Sequence, residues 1–369
     1  AGSSGPLAGV RVLELPSIGP GPFAAMLLAD LGADVVRVDR PGGQQLQVVP
    51  PEQDLLGRGK RSLVLDLKSP ADLATALALV EHADLLVEGF RPGVAERLGI
   101  GPEPCHARNP RLVYGRMTGW GQDGPSASSG GHDITYIAVT GALHAIGETG
   151  GVPQIPLNLV GDFAGALYLV TGLLAALHES QSSGRGQIVD AAMVDSSAHL
   201  MTAFYGLHAR GAWQDERGAN LLDGGAPFYA VYRTADDRYM AVGALESAFY
   251  AELLTRLGLE PGENVQTDVA SWPALRERLA AVFVTRTQAE WVDEFEGGDA
   301  CVAPVLGLEE APEHSHLAAR GTFVHDRDVV QPGPAPRFSR TAAHLDRPPP
   351  TPGQHQDEIV AEWLSRTPR

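Results

Sequence analysis

Cysteine is scarce: Cys105 and Cys301 are the two thiols in 369 residues. They can in principle pair, but two cysteines make no disulfide framework, and reduced thiols in a cytoplasmic setting are the expectation. Basic residues are also few, 28 Lys and Arg against 45 Asp and Glu, which leaves a net charge of −17. Such a surface repels phosphate backbones, so nucleic-acid binding is disfavoured, and any anionic ligand must be held by a few placed cations. No charged segment followed by an apolar core opens the sequence, whose residues 1–5 read as a small, polar tail. The longest apolar run, near Gly165–Leu177, contains Gly and Thr and reads as too short to span a bilayer, so no membrane partner is expected. G-x-S-x-G, H-E-x-x-H and C-x-x-C are absent, which removes support for serine-hydrolase and zinc-site readings. His314-Ser315-His316 is an isolated pair that reads as solvated.

Hydrophobic residues make up 44% and charged residues 20%, the balance of a globular protein with an ample core. The length suggests two domains. In the first third, strand patterns at Arg11–Leu15, Asp34–Asp39, Ser62–Leu67, Asp84–Glu88 and Leu112–Tyr114 alternate with helical stretches, including Phe23–Leu31 and one from Pro70 to about His82. That alternation predicts an α/β fold with a parallel sheet. Only Pro41–Gly59 lacks a clear period. Further helices are expected at Ile134–Ala145 and Asp162–Glu179, the second apolar nearly all round and therefore buried. Gln187–Met193 resumes a strand pattern. The large domain is expected over residues 1–195, a linker over 196–225, a smaller α+β domain over 226–325, and a Pro-rich return over 326–369 that ends in a helix at Asp357–Ser365.

Gly19-Pro20-Gly21-Pro22-Phe23-Ala24 fits G-x-G-x-x-A, and Asp39 ends the next strand 20 residues on. This is the dinucleotide pattern. Pro20 and Pro22, however, remove N–H groups that a pyrophosphate needs, and a tight strand–helix turn is the better account. Gly57-Arg58-Gly59-Lys60 departs from the P-loop pattern in its glycine spacing and in having Arg61 after the lysine. Arg40, Lys68 and Arg91 are more informative, because each follows a strand, and ligands of doubly wound sheets sit outside the carboxyl ends of the strands. Such an edge suits a ligand with several phosphates, a nucleotide or coenzyme A, and Arg97 can extend it. Each of these side chains taken alone also reads as merely solvated. His132 and Asp162 each stand at the start of a helical pattern, where the dipole favours a neutral imidazole and an ionised carboxylate and the free N–H groups can hold an oxyanion. Taken alone, a turn histidine and an ordinary N-cap are the better account of them.

The strings LPSIGPGPFAAMLLADLGADVVRVDRPG, GRGKRSLVLDLK, EGFRPGVAERLG, GRMTGWGQDGP, GGHDITYIAVTGALHAIG, PLNLVGDFAGALYLVTGLLAAL and GRGQIVDAAMVD resemble, in order over residues 6–200, the α-methylacyl-CoA racemases of the class III CoA-transferase superfamily. The resemblance implies an interlocked homodimer whose large domain carries a Rossmann-like sheet completed by the C-terminal tail. Acyl-CoA would be the substrate, in fatty acid and lipid metabolism, with no metal or redox cofactor. Implied CoA contacts are Arg40, the Leu65–Lys68 strand end (Leu65, Asp66, Leu67, Lys68), Gly89, Phe90, Arg91, Arg97, Gly131, Asp133 and Tyr136. The implied bases are His132 and Asp162, with Asn158 bonding the carboxylate and Glu246 matching a carboxylate given by the partner subunit. A class III CoA-transferase with Asp162 as nucleophile is the rival. A non-catalytic CoA-binding protein would need the cations but not both bases, and an NAD dehydrogenase ranks last.

Overall fold

The computed structural model describes residues 5–43, 48–260 and 265–365. Residues 1–4 of the opening tail and 44–47 of the aperiodic stretch lie outside them. Two compact units result. The first takes residues 1–140, 156–200 and 331–369, and the second 141–155 and 201–330.

The first unit is built on a six-stranded parallel sheet of β1 (Arg11–Glu14), β2 (Asp34–Asp39), β3 (Arg61–Val64), β4 (Leu85–Glu88), β5 (Val113–Thr118) and β6 (Ile188–Ala192), in the order β3-β2-β1-β4-β5-β6. The order reverses between β1 and β4, so their carboxyl ends diverge and open a crevice. Alternation of period two sends Leu13, Val36, Val38 and Leu86 to one face and Val12, Val35, Leu85 and Val87 to the other. Helices Pro20–Asp30 and Ala164–Ser183 cover the second face, while Pro70–Val80 and Gln356–Leu364 cover the first.

Four features depart from the sequence reading. β3 ends at Val64 rather than Leu67, because Asp66 accepts the N–H of Lys68 at 3.0 Å and its carbonyl accepts that of Ser69 at 2.8 Å, turning the chain. The expected helix Ile134–Ala145 is two, Asp133–Ala138 and Ala142–Ala145, parted at Gly141 in the left-handed region with φ 83°. The second piece belongs to the second unit. The expected linker 196–225 starts as helix, in Met193–Leu200 and Thr202–Ala209.

The fourth departure concerns the helix that follows Asn158. It opens as a π turn, Leu159–Phe163, and runs on through Ser183, so 25 residues are long and apolar enough to cross a bilayer. It is not buried all round. Ala166, Leu169, Leu173 and Ala176 face the sheet, whereas Leu167 is 49% exposed.

The chain from Gln331 onward straps the first unit. Arg58 donates to Asp30 through Nη2 at 2.5 Å and to Gln331 through Nη1 at 2.8 Å. Arg61 pairs with Asp34 at 2.7 Å and with Glu358 and Glu362 of the last helix at 2.9 and 2.8 Å. Trp363 is fully buried, donates its indole N–H to Asp34 at 2.8 Å and lies 5.3 Å beneath the Arg11 guanidinium.

In the second unit β7 (Tyr229–Arg233), β8 (Tyr239–Gly243) and β9 (Val302–Pro304) form an antiparallel sheet. Its core gathers Phe228, Tyr232, Leu253, Phe283 and Trp291. Thr287 and Glu290 start the helix Gln288–Phe295 with a reciprocal capping box.

Truncating Trp363 to alanine removes a core ring and one half-buried hydrogen bond together. Trp363→Ala is expected to lower the unfolding free energy by about 3–5 kcal/mol, read from the urea midpoint. A loss within the error of the denaturation curve would show that the C-terminal strap contributes little.

Candidate active site

Turns at the carboxyl ends of β1, β4 and β5 wall a cavity of about 520 Å³. Ile18–Gly21 comes from the first, Gly89–Pro92 from the second and Met117–Trp120 from the third, and His132, Tyr136, Asp162 and Met193 complete it. His132 and Asp162 therefore line one cavity.

His132 is the extended N-cap residue of the helix Asp133–Ala138, and its N–H is held by Thr135 Oγ1 at 3.0 Å. Asp133, expected among the CoA contacts, is buried. Its Oδ2 accepts the backbone N–H groups of Gly161 and Asp162, both at 2.7 Å. Those two donors are thus engaged, and the expectation that they hold an oxyanion is corrected.

Asn158 donates to Asp162 Oδ2 at 3.1 Å. The helix start was expected to favour the ionised form of Asp162. Burial dominates and raises the carboxyl above its ordinary value, the Asn158 bond and the His132 side chain pull it down, and the Asp133 charge adds to the rise.

The glycine pattern after β1 forms the expected strand–helix turn and also borders Asp162. Gly19 is left-handed, φ 67°, and a Cβ there would stand 3.1 Å from Asp162 Oδ2. Only glycine relieves both constraints at once. Gly119 is a second such position, since a Cβ would come within 1.9 Å of the Tyr136 ring, which stacks edge-on against Trp120 at 5.0 Å. The sequence signal for this corner is Gly119-Trp120-Gly121, an aromatic between two glycines at a strand end. Asp39, the acidic residue of the dinucleotide pattern, is committed to the protein itself. Its Oδ2 accepts from Arg37 Nε and Nη2 at 3.1 and 2.9 Å and from Ser62 Oγ at 2.5 Å.

A second cavity of about 450 Å³ collects Arg40, Leu65, Asp66, Leu67, Lys68 and Phe90, with Pro16, Pro41, Val94 and Leu98. Phe90 lines both cavities, and the Arg40 guanidinium lies 5.8 Å from its ring centroid. Arg91 reaches the first cavity and passes over Gly130, where a Cβ would meet its Nη2 at 3.2 Å. Gly89 and Gly131 also line the first cavity. Arg97 lines neither; it folds back over Gly93, 3.1 Å from where a Cβ would be. Glu246 belongs to the second unit, exposed at the N-cap of the helix Ser247–Arg256.

Both cysteines are free. Burial pushes the Cys105 thiol up to about 12, and Cys301 is exposed. Among the described residues, no group of three or more His, Cys, Asp or Glu side chains is placed to hold a metal ion.

The family model "CoA-transferase family III" matches residues 7–356. Alpha-methylacyl-CoA racemases of Homo sapiens and Mus musculus are each 45% identical over 361 residues, 97% of this chain and 93% of theirs. A CAIB/BAIF family protein from Brucella suis superposes with a TM-score of 0.85 at 26% identity, over 98% of this chain and 100% of that one. A cavity holding an imidazole and a carboxylate, a neighbouring cation-lined cavity and a match along nearly the whole length agree in one assignment: the chain belongs to CoA-transferase family III.

Proposed function

We propose that the protein is an α-methylacyl-CoA racemase, which interconverts the (R)- and (S)-2-methylacyl-CoA thioesters. The observation that carries this reading is the shared cavity of His132 and Asp162. The likeness to curated racemases supports it.

The α-proton of a thioester is far less acidic than either side chain, so inversion needs a base on each face and stabilisation of the enolate between them. In one direction ionised Asp162 takes the α-proton, the C–H electron pair moves onto the thioester oxygen, and protonated His132 returns a proton to the opposite face. The reverse reaction exchanges the roles. Each preorganised donor to the enolate oxygen contributes roughly 3–4 kcal/mol. Asn158 favours the ionised, base form of Asp162, and Asp133 fixes the backbone that carries it. Neither proton transfer calls for a metal or a redox group.

Coenzyme A would lie along the strand ends, its phosphates met by Arg40, Lys68 and Arg91 and its thioester reaching the first cavity past Phe90. Leu65 and Leu67 supply apolar surface there, with the Asp66 turn between them. An interlocked homodimer accounts for the exposed apolar residues on the outer face of the helix through Leu167 and brings Glu246 of one subunit to the site of the other. The free thiols fit a cytoplasmic enzyme of lipid metabolism.

The rival is CoA transfer through an acyl anhydride on Asp162. A second base at His132 beside that carboxylate favours racemisation. Incubation with a 2-methylacyl-CoA in D₂O decides between them. Deuterium is expected at the α-carbon with no acceptor acid present; absence of exchange, with CoA passing to an added carboxylate, would establish the transferase instead.

Two variants probe the separate roles of the bases. His132→Ala is expected to block exchange from one enantiomer far more than from the other, and equal losses would contradict facial assignment. Asn158→Ala removes a bond that lowers the Asp162 carboxyl, so the Asp162 titration should move to higher pH. Proton abstraction by Asp162 would then switch on at higher pH than in the wild type, as carbon-13 NMR titration and pH-rate profiles for each enantiomer can show.

A further inference from the structure

The turn Gly89–Gly93 joins β4 to the helix Val94–Leu98 and brings Phe90 to both cavities and Arg91 to the first. Its backbone is held at Phe90, whose N–H donates to Glu88 Oε2 at 2.6 Å, and Glu96 stands in the helix that follows. Arg116 of β5 stands between the two carboxylates, with Nε 2.9 Å from Glu88 Oε1 and Nη1 2.8 Å from Glu96 Oε1. Glu88 is wholly buried and Arg116 nearly so. An apolar set of similar volume would serve folding as well as a buried ionic cluster does, so stability alone does not account for these charges. Their common product is the shape of the turn.

We propose that Glu88, Arg116 and Glu96 are positioning residues that hold the Gly89–Gly93 turn in its coenzyme A-binding shape, and that the hold is complete only while Glu88 is ionised. This rests on the acyl-CoA reading above. An ionised Glu88 offers one oxygen to the Phe90 N–H and the other to Arg116. Protonating either oxygen sets an O–H against a donor, so one of the two bonds is lost.

The groups facing this cluster are few. Arg116 and, through it, Glu96 act on Glu88. Tyr114, next on β5, is pushed up by burial and stays neutral. Asp190 of β6 stands opposite Arg116 in the sheet register. Burial lifts the Glu88 carboxyl to about 7, against the pull of the Phe90 N–H and Arg116. Affinity for coenzyme A is therefore full above that pH and is lost as the pH falls through it.

Isothermal titration of the full chain with coenzyme A and with dephospho-CoA, from pH 8 to pH 6, tests this. Dephospho-CoA lacks the monoester phosphate that itself titrates in the window at about 6. Wild-type affinity for it is expected to weaken about tenfold on acidification, the worth of one charged hydrogen bond. Glu88→Gln cannot offer both acceptors, so its dissociation constant at pH 8 should match the wild-type value at pH 6 and stay flat. Glu96→Gln, at an exposed side chain, should keep the slope but move its midpoint to lower pH, because Glu96 raises the Glu88 carboxyl.

A folded Glu88→Gln protein with wild-type affinity and slope would overturn the proposal, as would wild-type binding that tightens on acidification. Should Glu88→Gln fail to fold, an unshifted midpoint in Glu96→Gln overturns it and a shifted one sustains it. Wild-type protein that binds neither ligand would remove the acyl-CoA reading itself, and the turn's assigned ligand with it.

Discussion

Asp133 follows His132 directly in the chain and accepts the backbone N–H groups of Gly161 and Asp162 at 2.7 Å each. One buried carboxylate thereby ties the N-cap that carries the imidazole to the π turn that carries the Asp162 carboxylate. The link fixes the backbone at both side chains that line the cavity. Gly19 bounds the same corner, since a side chain there would crowd the Asp162 carboxylate.

Around this link the strand ends carry an unusual load of buried charge. Lys60 and Glu14 are both fully buried, paired at 2.7 Å, with the Lys60 ammonium also donating to the Pro22 carbonyl at 3.0 Å. Arg37 with Asp39, and Arg116 with Glu88, repeat the arrangement in neighbouring strands. Burial raises the Glu14 carboxyl and lowers the Lys60 ammonium, with mutual attraction opposing both. Such pairs add little net stability but are costly to break singly. Glu88 also accepts the Phe90 N–H, and Lys60 also donates to the Pro22 carbonyl, so two of these pairs reach turns that border the cavities.

Legibility differed by the range of the interaction involved. Strands from Arg11 to Glu88 were readable because each is a short apolar run of β-branched and leucine residues bounded by turn signals. The overrun of β3 past Val64 came from Leu65 and Leu67, which are buried and alternate like strand residues although Asp66 has already turned the chain. Apolar periodicity continues across Gly141, so no local pattern marks the break there. His132 and Asp162 drew attention through their places at helix starts, yet the same pattern fitted ordinary caps. The steric roles of Gly119 and Gly19 lie outside any local pattern, since each faces a ring or a carboxylate distant in sequence.

The sequence by itself determined the alternation of strands and helices, the acidic surface with cations placed after strands, and the likeness to a racemase family. These are local or compositional properties, and each is written in short windows. Tertiary structure decided which cations share a cavity, so that Arg40 and Lys68 meet beside Phe90 while Arg97 turns aside. It also decided that Asp133 braces the turn before Asp162, and that burial raises the Asp162 carboxyl. Burial and hydrogen-bond competition depend on which distant atoms arrive at a site, and no window of sequence contains that.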